Sequence, residues 1–174
     1  MQRHSDKATE TADKNIHEAF MRQALKEAEK AAAKDEVPVG AVIVYEGKII
    51  ARGHNVREST GDPTAHAEII ALKKAAKKLK SWRLYGCSMY VTLEPCPMCA
   101  GAALQARLDA IHFGAYDAKA GCCGTLYDIP QDNRFNHTAA IQGNILQEQC
   151  AGVLTEYFRA KRKQKQKEKG SGAL

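Results

Sequence analysis

Two short stretches of the chain combine residue types that bind metal ions. One contains His66 and Glu68, and the other is a Pro-Cys-x-x-Cys stretch that contains Cys96 and Cys99. One histidine nitrogen and two thiolates are ligands that zinc takes, and three protein ligands leave a fourth tetrahedral position open for water. An open position is typical of a catalytic zinc ion. The spacing therefore predicts one catalytic zinc ion per chain, bound by His66, Cys96 and Cys99.

Glu68 has a different predicted role. A zinc ion with two thiolates and a neutral histidine has no net formal charge, so it acidifies its water less than zinc held by three histidines. A carboxylate beside the water is then required as the general base. Once protonated, the same carboxylate can pass the proton to a substrate. We therefore predict that Glu68 shuttles protons. A Cys-x-x-Cys pair alone would equally fit a redox pair or half of a structural zinc site.

Each of these stretches is expected to open a helix. A helix is predicted over residues 65–78, after a polar loop, and another begins at Pro97, a residue favoured at the first helical position. Cys96 and Cys99 are three residues apart and so lie on one side of a turn. Side chains in a first turn lean back toward the helix start. The positive ends of two helix dipoles would then favour the thiolates.

The rest of the chain predicts an α/β fold. Strands are expected over residues 39–45, 48–51, 88–94, 110–115 and 138–142, and further helices begin near residues 15 and 144. Because helices alternate with strands, a sheet covered by helices on both faces is the natural architecture. We expect a three-layer α/β/α sandwich with a mixed sheet of about five strands. A long loop over residues 116–137 is of the kind that is usually functional.

Composition excludes several classes of protein. Hydrophobic residues make up 44% and charged residues 26% of the 174 residues, which is ordinary for a globular domain. No run of 18 apolar residues exists, so neither a membrane span nor a membrane partner is expected. The N-terminal segment lacks the apolar region of a secretory signal. A cytoplasmic location is therefore expected, with reduced cysteines, including Cys122 and Cys123 as free thiols.

The net charge of +6 is concentrated at the C-terminal end. Residues 159–174 contain seven basic residues and one acidic residue, whereas the other 158 residues carry 19 of each sign. A basic segment of this kind fits either a nucleic-acid contact or a solvated helix end. We divide the chain into a disordered segment over residues 1–14, one domain over residues 15–158, and a basic helix end and tail over residues 159–174.

At this point the sequence resembles the zinc-dependent nucleobase deaminases, whose signature is His-x-Glu followed by Pro-Cys-x-x-Cys. Within that superfamily it is similar to the bacterial tRNA-specific adenosine deaminases over roughly residues 15–163. The matching positions are residues 38–42, 53–55, 62–69, 91–102, 114, 117–119, 121 and 136–137. The resemblance implies a cytidine-deaminase-like fold and a homodimer. It also implies hydrolytic conversion of the wobble adenosine of a tRNA anticodon stem-loop to inosine.

The resemblance also implies roles for single residues. Zinc-bound hydroxide would attack carbon 6 of the adenine while Glu68 moves the protons. Asn55 would hydrogen-bond the flipped purine, and Asp117 would contact the nucleotide backbone. Lys119 would belong to the same substrate-binding loop. Phe158 is a candidate wall for the base, although its helical spacing also fits a core position.

Two other functions remain open from the sequence. A zinc deaminase of free bases or nucleotides, such as guanine or cytosine, would keep the same zinc ligands and Glu68 but would not need the basic tail. A catalytically silent zinc-binding partner subunit would have no chemical need for Glu68. Binding of RNA would weaken steeply with salt, whereas binding of a free base would hardly change.

Overall fold

The computed structural model describes residues 3–171 of the backbone and the side chains of residues 12–168. Helices and strands alternate along the chain. The helices are α1 (Arg3–Ala32), α2 (Arg57–Thr60), α3 (Ala67–Leu79), α4 (Pro97–Gln105) and α5 (Gln147–Ser171), and the strands are β1 (Gly40–Tyr45), β2 (Lys48–His54), β3 (Cys87–Leu93), β4 (Ala110–Ala115) and β5 (Ala140–Gln142). The long loop between β4 and β5 contains one short 3₁₀ turn, Ile129–Gln131.

The five strands form one mixed sheet in the order β2-β1-β3-β4-β5. β1 pairs antiparallel with β2 and with β3, whereas β3, β4 and β5 are parallel. Parallel strands need crossover connections, and α4 supplies the one between β3 and β4. Because β3 and β4 are parallel, their C-terminal ends lie at the same edge of the sheet, and so do the loops that follow them. The predicted mixed sheet of five strands is confirmed.

Helices cover both faces of this sheet. On one face α3 and α4 pack their small residues against β1 and β3, as Ala71 and Ala103 do with Ile43 and Met89. On the other face α1 and α5 pack against Val42 and neighbouring residues in the second core cluster. β1 is buried on both sides along almost its whole length, as its apolar sequence predicts. The three-layer α/β/α architecture is confirmed.

The N-terminal segment differs from the sequence prediction. Disorder is expected over residues 1–14 and a helix start near Asn15, but α1 already begins at Arg3. Residues 3–14 contain neither glycine nor proline and include alanine, glutamate and lysine, which favour helix. The helix therefore continues through Asn15 instead of being capped there. Residues 1 and 2 lie outside the described part of the chain. Among residues 3–171, no helix is both long and apolar enough to cross a membrane.

Two other boundaries also differ. A capping pair of Asn144 and Gln147 is expected from the sequence, but α5 begins only at Gln147. Asn144 and Leu146 adopt positive φ angles of 67° and 51°, so the chain turns there before the helix starts. The basic segment over residues 159–171 is a direct continuation of α5. The Tyr157 hydroxyl donates a hydrogen bond of 2.9 Å to the Asp35 carbonyl oxygen, which fixes α5 beside the end of α1.

Gly53 determines how closely α3 approaches the sheet. A Cβ atom at this position of β2 would lie only 2.2 Å from the Ala67 carbonyl oxygen. Glycine alone allows the first turn of α3 to pack directly on β2. β2 extends three residues beyond the predicted end and finishes at His54, so Asn55 is placed beside this first turn. The close packing therefore brings Asn55 and the start of α3 together.

Candidate metal centre and substrate pocket

The three predicted metal ligands converge at the starts of two helices. His66 is the N-cap residue of α3 and Cys96 is the N-cap residue of α4, and neither side chain caps its own helix. Cys99 lies one turn into α4 and is fully buried. His66 Nδ1 lies 3.7 Å from Cys96 Sγ and 3.5 Å from Cys99 Sγ. All three donor atoms lie within 4.8 Å of one another, so one metal ion can bind all three.

The electrostatics of this cluster favour a cation. A hydrogen bond from the Cys99 thiol lowers the pKa of Cys96 to about 4, and the His66 ring acts in the same direction. The Cys99 thiol has a raised pKa because it donates to Cys96 in a buried environment. These contacts therefore favour the thiolate form of Cys96. Histidine nitrogen and thiolate sulfur are ligands that zinc prefers over magnesium or calcium. The residues thus fit a resident metal ion of this type.

Glu68 is buried beside the three ligands. Its side chain is 4% exposed, and its Oε2 atom has no hydrogen-bond partner among the described residues. Burial raises the pKa of Glu68 to about 7, and the charge of Cys96 adds to the increase. A buried carboxylate with one unsatisfied oxygen is costly, so it is typical of a functional site. A carboxyl group with a pKa near neutrality can both accept and return a proton.

A cavity of about 230 Å³ opens in front of these groups. It is lined by two metal ligands, by Glu68 and by further polar and apolar residues: Glu36, Val37, Val39, Asn55, Arg57, Glu58, His66, Glu68, Leu93, Glu94, Cys96, Asp117 and Ala120. A concave pocket with convergent polar groups and a perturbed carboxylate is the expected form of an active site. Two of the four predicted substrate-binding residues, Asn55 and Asp117, are in this lining.

Asn55 joins the pocket to α3. Its side chain is buried, and its Oδ1 atom accepts a 2.8 Å hydrogen bond from the Ala67 N–H, one of the unpaired donors at the start of the helix. Its own N–H donates to the Val39 carbonyl oxygen at 3.2 Å. Among the described residues the Asn55 Nδ2 group makes no hydrogen bond, so it is available as a donor to a molecule in the cavity.

Asp117 and Lys119 lie at the start of the loop after β4. Asp117 Oδ1 accepts the N–H of Lys119 at 2.9 Å and the N–H of Ala120 at 3.2 Å, which closes a tight turn. The Lys119 side chain is exposed and does not line the cavity. Asp117 is therefore placed at the pocket, and Lys119 is placed outside it.

Phe158 lines a second cavity instead of the first. This cavity, of about 530 Å³, lies between the end of α1, α2 and α5 and shares two wall residues, Val37 and Glu58, with the first. Phe158 is 43% exposed, so it is not a core residue, and its ring packs edge-on against Tyr157 with 5.4 Å between centroids. Besides Tyr157, the rest of the lining is three lysines, one aspartate and one serine: Lys34, Lys161, Lys165, Asp35 and Ser59.

Comparison with known proteins agrees with this geometry. A family model described as MafB19-like deaminase matches residues 15–162. A tRNA-specific adenosine deaminase of Bacillus subtilis is 51% identical over 148 residues, which is 85% of this chain and 92% of that protein. Another of Haemophilus influenzae is 45% identical over 87% of this chain and 88% of its own. The chain belongs to the tRNA-specific adenosine deaminase family.

Solved structures give the same fold for this deaminase. A tRNA:A34 deaminase, studied for A-to-I editing at the wobble position of transfer RNA, superposes with a TM-score of 0.75. It is 39% identical, and the match covers 78% of this chain and 99% of that one. A guanine deaminase of Bacillus subtilis superposes with a TM-score of 0.58 and 43% identity, over 63% of this chain and 70% of that one. The cytidine-deaminase-like fold expected from the sequence is confirmed.

Sequence reasoning missed two buried carboxylates in the lining of this deaminase pocket. Glu36 is 1% exposed, and it accepts the N–H of Ser59 at 2.7 Å and of Glu58 at 3.1 Å. Burial opposes its charge, but these backbone donors outweigh burial and lower the pKa of Glu36. Glu94 is 2% exposed and accepts hydrogen bonds from the loop after β4. The sequence contains one indication of Glu94, an acidic residue at the end of an apolar strand, but no comparable indication of Glu36.

Proposed function

We propose that this deaminase hydrolyses the wobble adenosine of a tRNA anticodon loop to inosine, with one zinc ion held by His66, Cys96 and Cys99. The observation that carries the proposal is the buried Glu68, whose Oε2 atom has no hydrogen-bond partner among the described residues, beside three converging residues of the metal-binding type at a cavity. Relatives with 51% and 45% identity that bear the name tRNA-specific adenosine deaminase supply the reaction.

Zinc is the metal that fits the donor set. One nitrogen and two sulfur ligands are a common combination for it, and three ligands leave one position for water. When bound, the ion supplies a Lewis acid that makes a water molecule more acidic. His66, Cys96 and Cys99 would hold it at the convergence of two helix starts, where the helix dipoles favour the thiolate form.

Glu68 would handle every proton of the reaction. Its carboxylate accepts one proton from the attacking water and delivers it to the purine ring as oxygen bonds to carbon 6. It then transfers the second proton of that oxygen to the leaving nitrogen, so that adenosine and water become inosine and ammonia. A pKa raised to about 7 by burial suits a group that must act as base and then as acid.

The remaining lining residues would hold the nucleotide. In this proposal the Nδ2 group of Asn55 donates to the purine, and Asp117, which lines the same cavity, contacts the nucleotide backbone. A neighbouring nucleotide would occupy the second cavity, with Phe158 as a stacking surface. Lys119 and the basic residues of α5 would face the phosphates. A wobble base must leave its stack to enter a pocket of this kind.

The main alternative is a deaminase of free purines. The Bacillus subtilis guanine deaminase, at 43% identity, keeps this possibility open. Two observations favour RNA. The second cavity adjoins the first and contains lysines and an exposed aromatic ring, and α5 continues the basic segment to Ser171. A single free base would use neither feature. A silent zinc-binding subunit is disfavoured by Glu68, because metal binding alone has no need for a costly buried carboxylate.

We also propose that two copies of the chain form a homodimer, in the cytoplasm. An apolar groove lies between α3 and α4, lined by Ile69, Leu72, Ala76, Trp82, Leu84, Ala102 and Ala106 with Lys73. Trp82 is 55% exposed, and a Cβ atom on Gly101 of α4 would meet nothing within 4 Å. This face supports close approach of a second helix pair. Sedimentation equilibrium checks it: Trp82→Glu is expected to shift the dimer toward monomer, and an unchanged mass would contradict the assignment.

The decisive experiment measures inosine in an anticodon stem-loop that carries a wobble adenosine. Free adenosine, guanine and cytosine are assayed in parallel for ammonia release, and Glu68→Ala is the control. Inosine only at the wobble position, absent with Glu68→Ala, is the expected result. Ammonia from free guanine with an untouched stem-loop would instead assign the chain to purine salvage.

A further inference from the structure

Glu94 is a buried carboxylate that the proposed chemistry does not use. It directly follows β3, two residues before Cys96, and its backbone N–H donates to the Ala115 carbonyl oxygen at 2.8 Å. The side chain is 2% exposed. An acidic side chain this deeply buried is costly unless several donors satisfy its oxygens. The origin of those donors indicates what the residue is for.

All of these donors come from one loop. Glu94 Oε1 accepts the N–H of Cys123 and the N–H of Thr125, both at 3.0 Å. Glu94 Oε2 accepts the N–H of Asp117 at 3.1 Å and the hydroxyl of Thr125 at 2.5 Å. Asp117 stands at one end of residues 117–125 and Thr125 at the other. A single carboxylate therefore holds both ends of this segment, which we call the Glu94 loop.

The Glu94 loop wraps tightly around the carboxylate. A Cβ atom on Gly121 would lie 2.2 Å from Glu94 Oε2 and 2.6 Å from the Asp117 carbonyl oxygen, so a larger residue does not fit there. The N–H of Cys122 also donates to the Pro95 carbonyl oxygen at 2.9 Å. Hydrogen bonds thus attach the loop to Glu94 and Pro95, the two residues immediately before the metal ligand Cys96.

We propose that Glu94 is the positioning residue of the substrate pocket, which fixes the Glu94 loop and its Asp117 relative to the metal ligand Cys96. The role of Asp117 in nucleotide binding rests on the proposed function. The Asp117 side chain is oriented by the N–H groups of Lys119 and Ala120, which belong to the same loop. Displacement of the loop therefore displaces Asp117, whereas His66, Cys96 and Cys99 are hydrogen-bonded to one another and to the starts of α3 and α4.

The first test is Glu94→Gln, which keeps the volume but turns an NH₂ group toward N–H donors. Misplacement of Asp117 is expected to lower kcat/KM for the stem-loop on the order of 100-fold. The loss should lie mainly in KM, and zinc content should stay at one per chain. Glu94→Gln combined with Asp117→Ala should be little worse than the more damaging single variant, because both act through one contact. Additive losses, or a loss of kcat together with zinc, would overturn the proposal.

Thr92→Val is the matched control for Glu94→Gln. Thr92 is equally buried on β3, and its Oγ1 accepts the Gly40 N–H at 3.2 Å, but it lines neither cavity. It should change KM by less than about threefold while lowering stability. Thr125→Val is a second test, which removes a hydrogen-bond donor to Glu94 instead of changing Glu94 itself. It removes one hydroxyl at an exposed position, so the fold is retained, and KM should rise about fivefold.

Hydrogen exchange tests the positioning role without any activity assay. In Glu94→Gln the amides of Asp117, Cys123 and Thr125 should exchange at least about tenfold faster, whereas those of α4 should not change. Unchanged exchange in the Glu94 loop would refute the role even if activity fell. If the wild-type protein made no inosine, the proposed function would fail, and the exchange result alone would decide whether Glu94 positions the loop.

Discussion

The two adjoining cavities of this deaminase are built in different ways. The first is formed by residues at the starts of α3 and α4, where His66 and Cys96 are N-cap residues and Asn55 pairs with the helix backbone. The second is formed by long exposed side chains such as Lys165 and by the half-exposed ring of Phe158. The groups of the first cavity are therefore fixed before a substrate binds, whereas the exposed side chains of the second cavity can adapt to one.

Removal of the metal should have the largest effect on the first cavity. Cys99→Ala takes away one of three ligands, and the variant should contain little zinc and show only background deamination. Metal analysis and the stem-loop assay check this. Cys87→Ala, an equally buried cysteine at the far end of β3, is the control and should keep its zinc. A Cys99→Ala variant with full zinc and activity would mean that the ligand set is wrong.

Glu68→Gln should come next. It replaces the carboxylate with an isosteric amide that cannot carry protons, and kcat should fall about 10⁴-fold. Zinc content should stay at one per chain, because His66, Cys96 and Cys99 remain. Single-turnover rates with saturating stem-loop check the loss. A variant that retained more than a tenth of the wild-type rate would show that another group moves the protons.

The Asn55 side chain has two proposed functions, as an acceptor for the α3 backbone and as a donor to the substrate, and two substitutions can separate them. Asn55→Asp keeps an acceptor for the Ala67 N–H but removes the free NH₂ donor, so activity should fall about 100-fold with a nearly unchanged Tm. Asn55→Ala loses both, and should also cost about 1 kcal/mol of stability. Thermal unfolding and kcat/KM for the stem-loop distinguish them. If Asn55→Asp were fully active, the asparagine would serve only as a helix cap.

The second cavity should give the smallest effect. Lys34→Gln combined with Lys165→Gln removes two positive charges from its lining, and the stem-loop Kd should weaken about tenfold at low salt. The slope of log Kd against log salt should decrease by about one to two units. Lys77→Gln with Lys78→Gln on the last turn of α3 is the control. An equal change in the control would mean that only net charge matters.

The same contrast explains what the sequence could predict. His66, Glu68, Cys96 and Cys99 were predictable because ligand type and short spacing at helix starts determine where those side chains meet. β1 and β4 were predictable because their residues are apolar almost throughout. The start of α1 was not, because a polar segment with good helix propensity has the same composition whether it is disordered or extends a helix. Glu94 was missed as well, because its partners lie 23 to 31 residues further along the chain.

The positions of the residues proposed to contact RNA were predictable only in part. Asp117 lines the first cavity, and its contact with the nucleotide stays a prediction, whereas Phe158 lines the second cavity and Lys119 lines neither. Phe158 stands on α5, whose placement is set by Tyr157 bonding to Asp35, a contact across 122 residues. A contact of that separation leaves no periodic pattern in the sequence, so which cavity the ring faces could not be read from it.

One titration tests most directly whether the first cavity carries out the reaction and the second cavity only binds the stem-loop. Single-turnover inosine formation is followed over a range of stem-loop concentrations for the wild type and for Lys34→Gln/Lys165→Gln. The variant is expected to have a higher half-saturating concentration than the wild type and an equal rate constant at saturation. A fall in the saturating rate constant approaching that of Glu68→Gln would contradict it, because the second cavity would then take part in the chemistry.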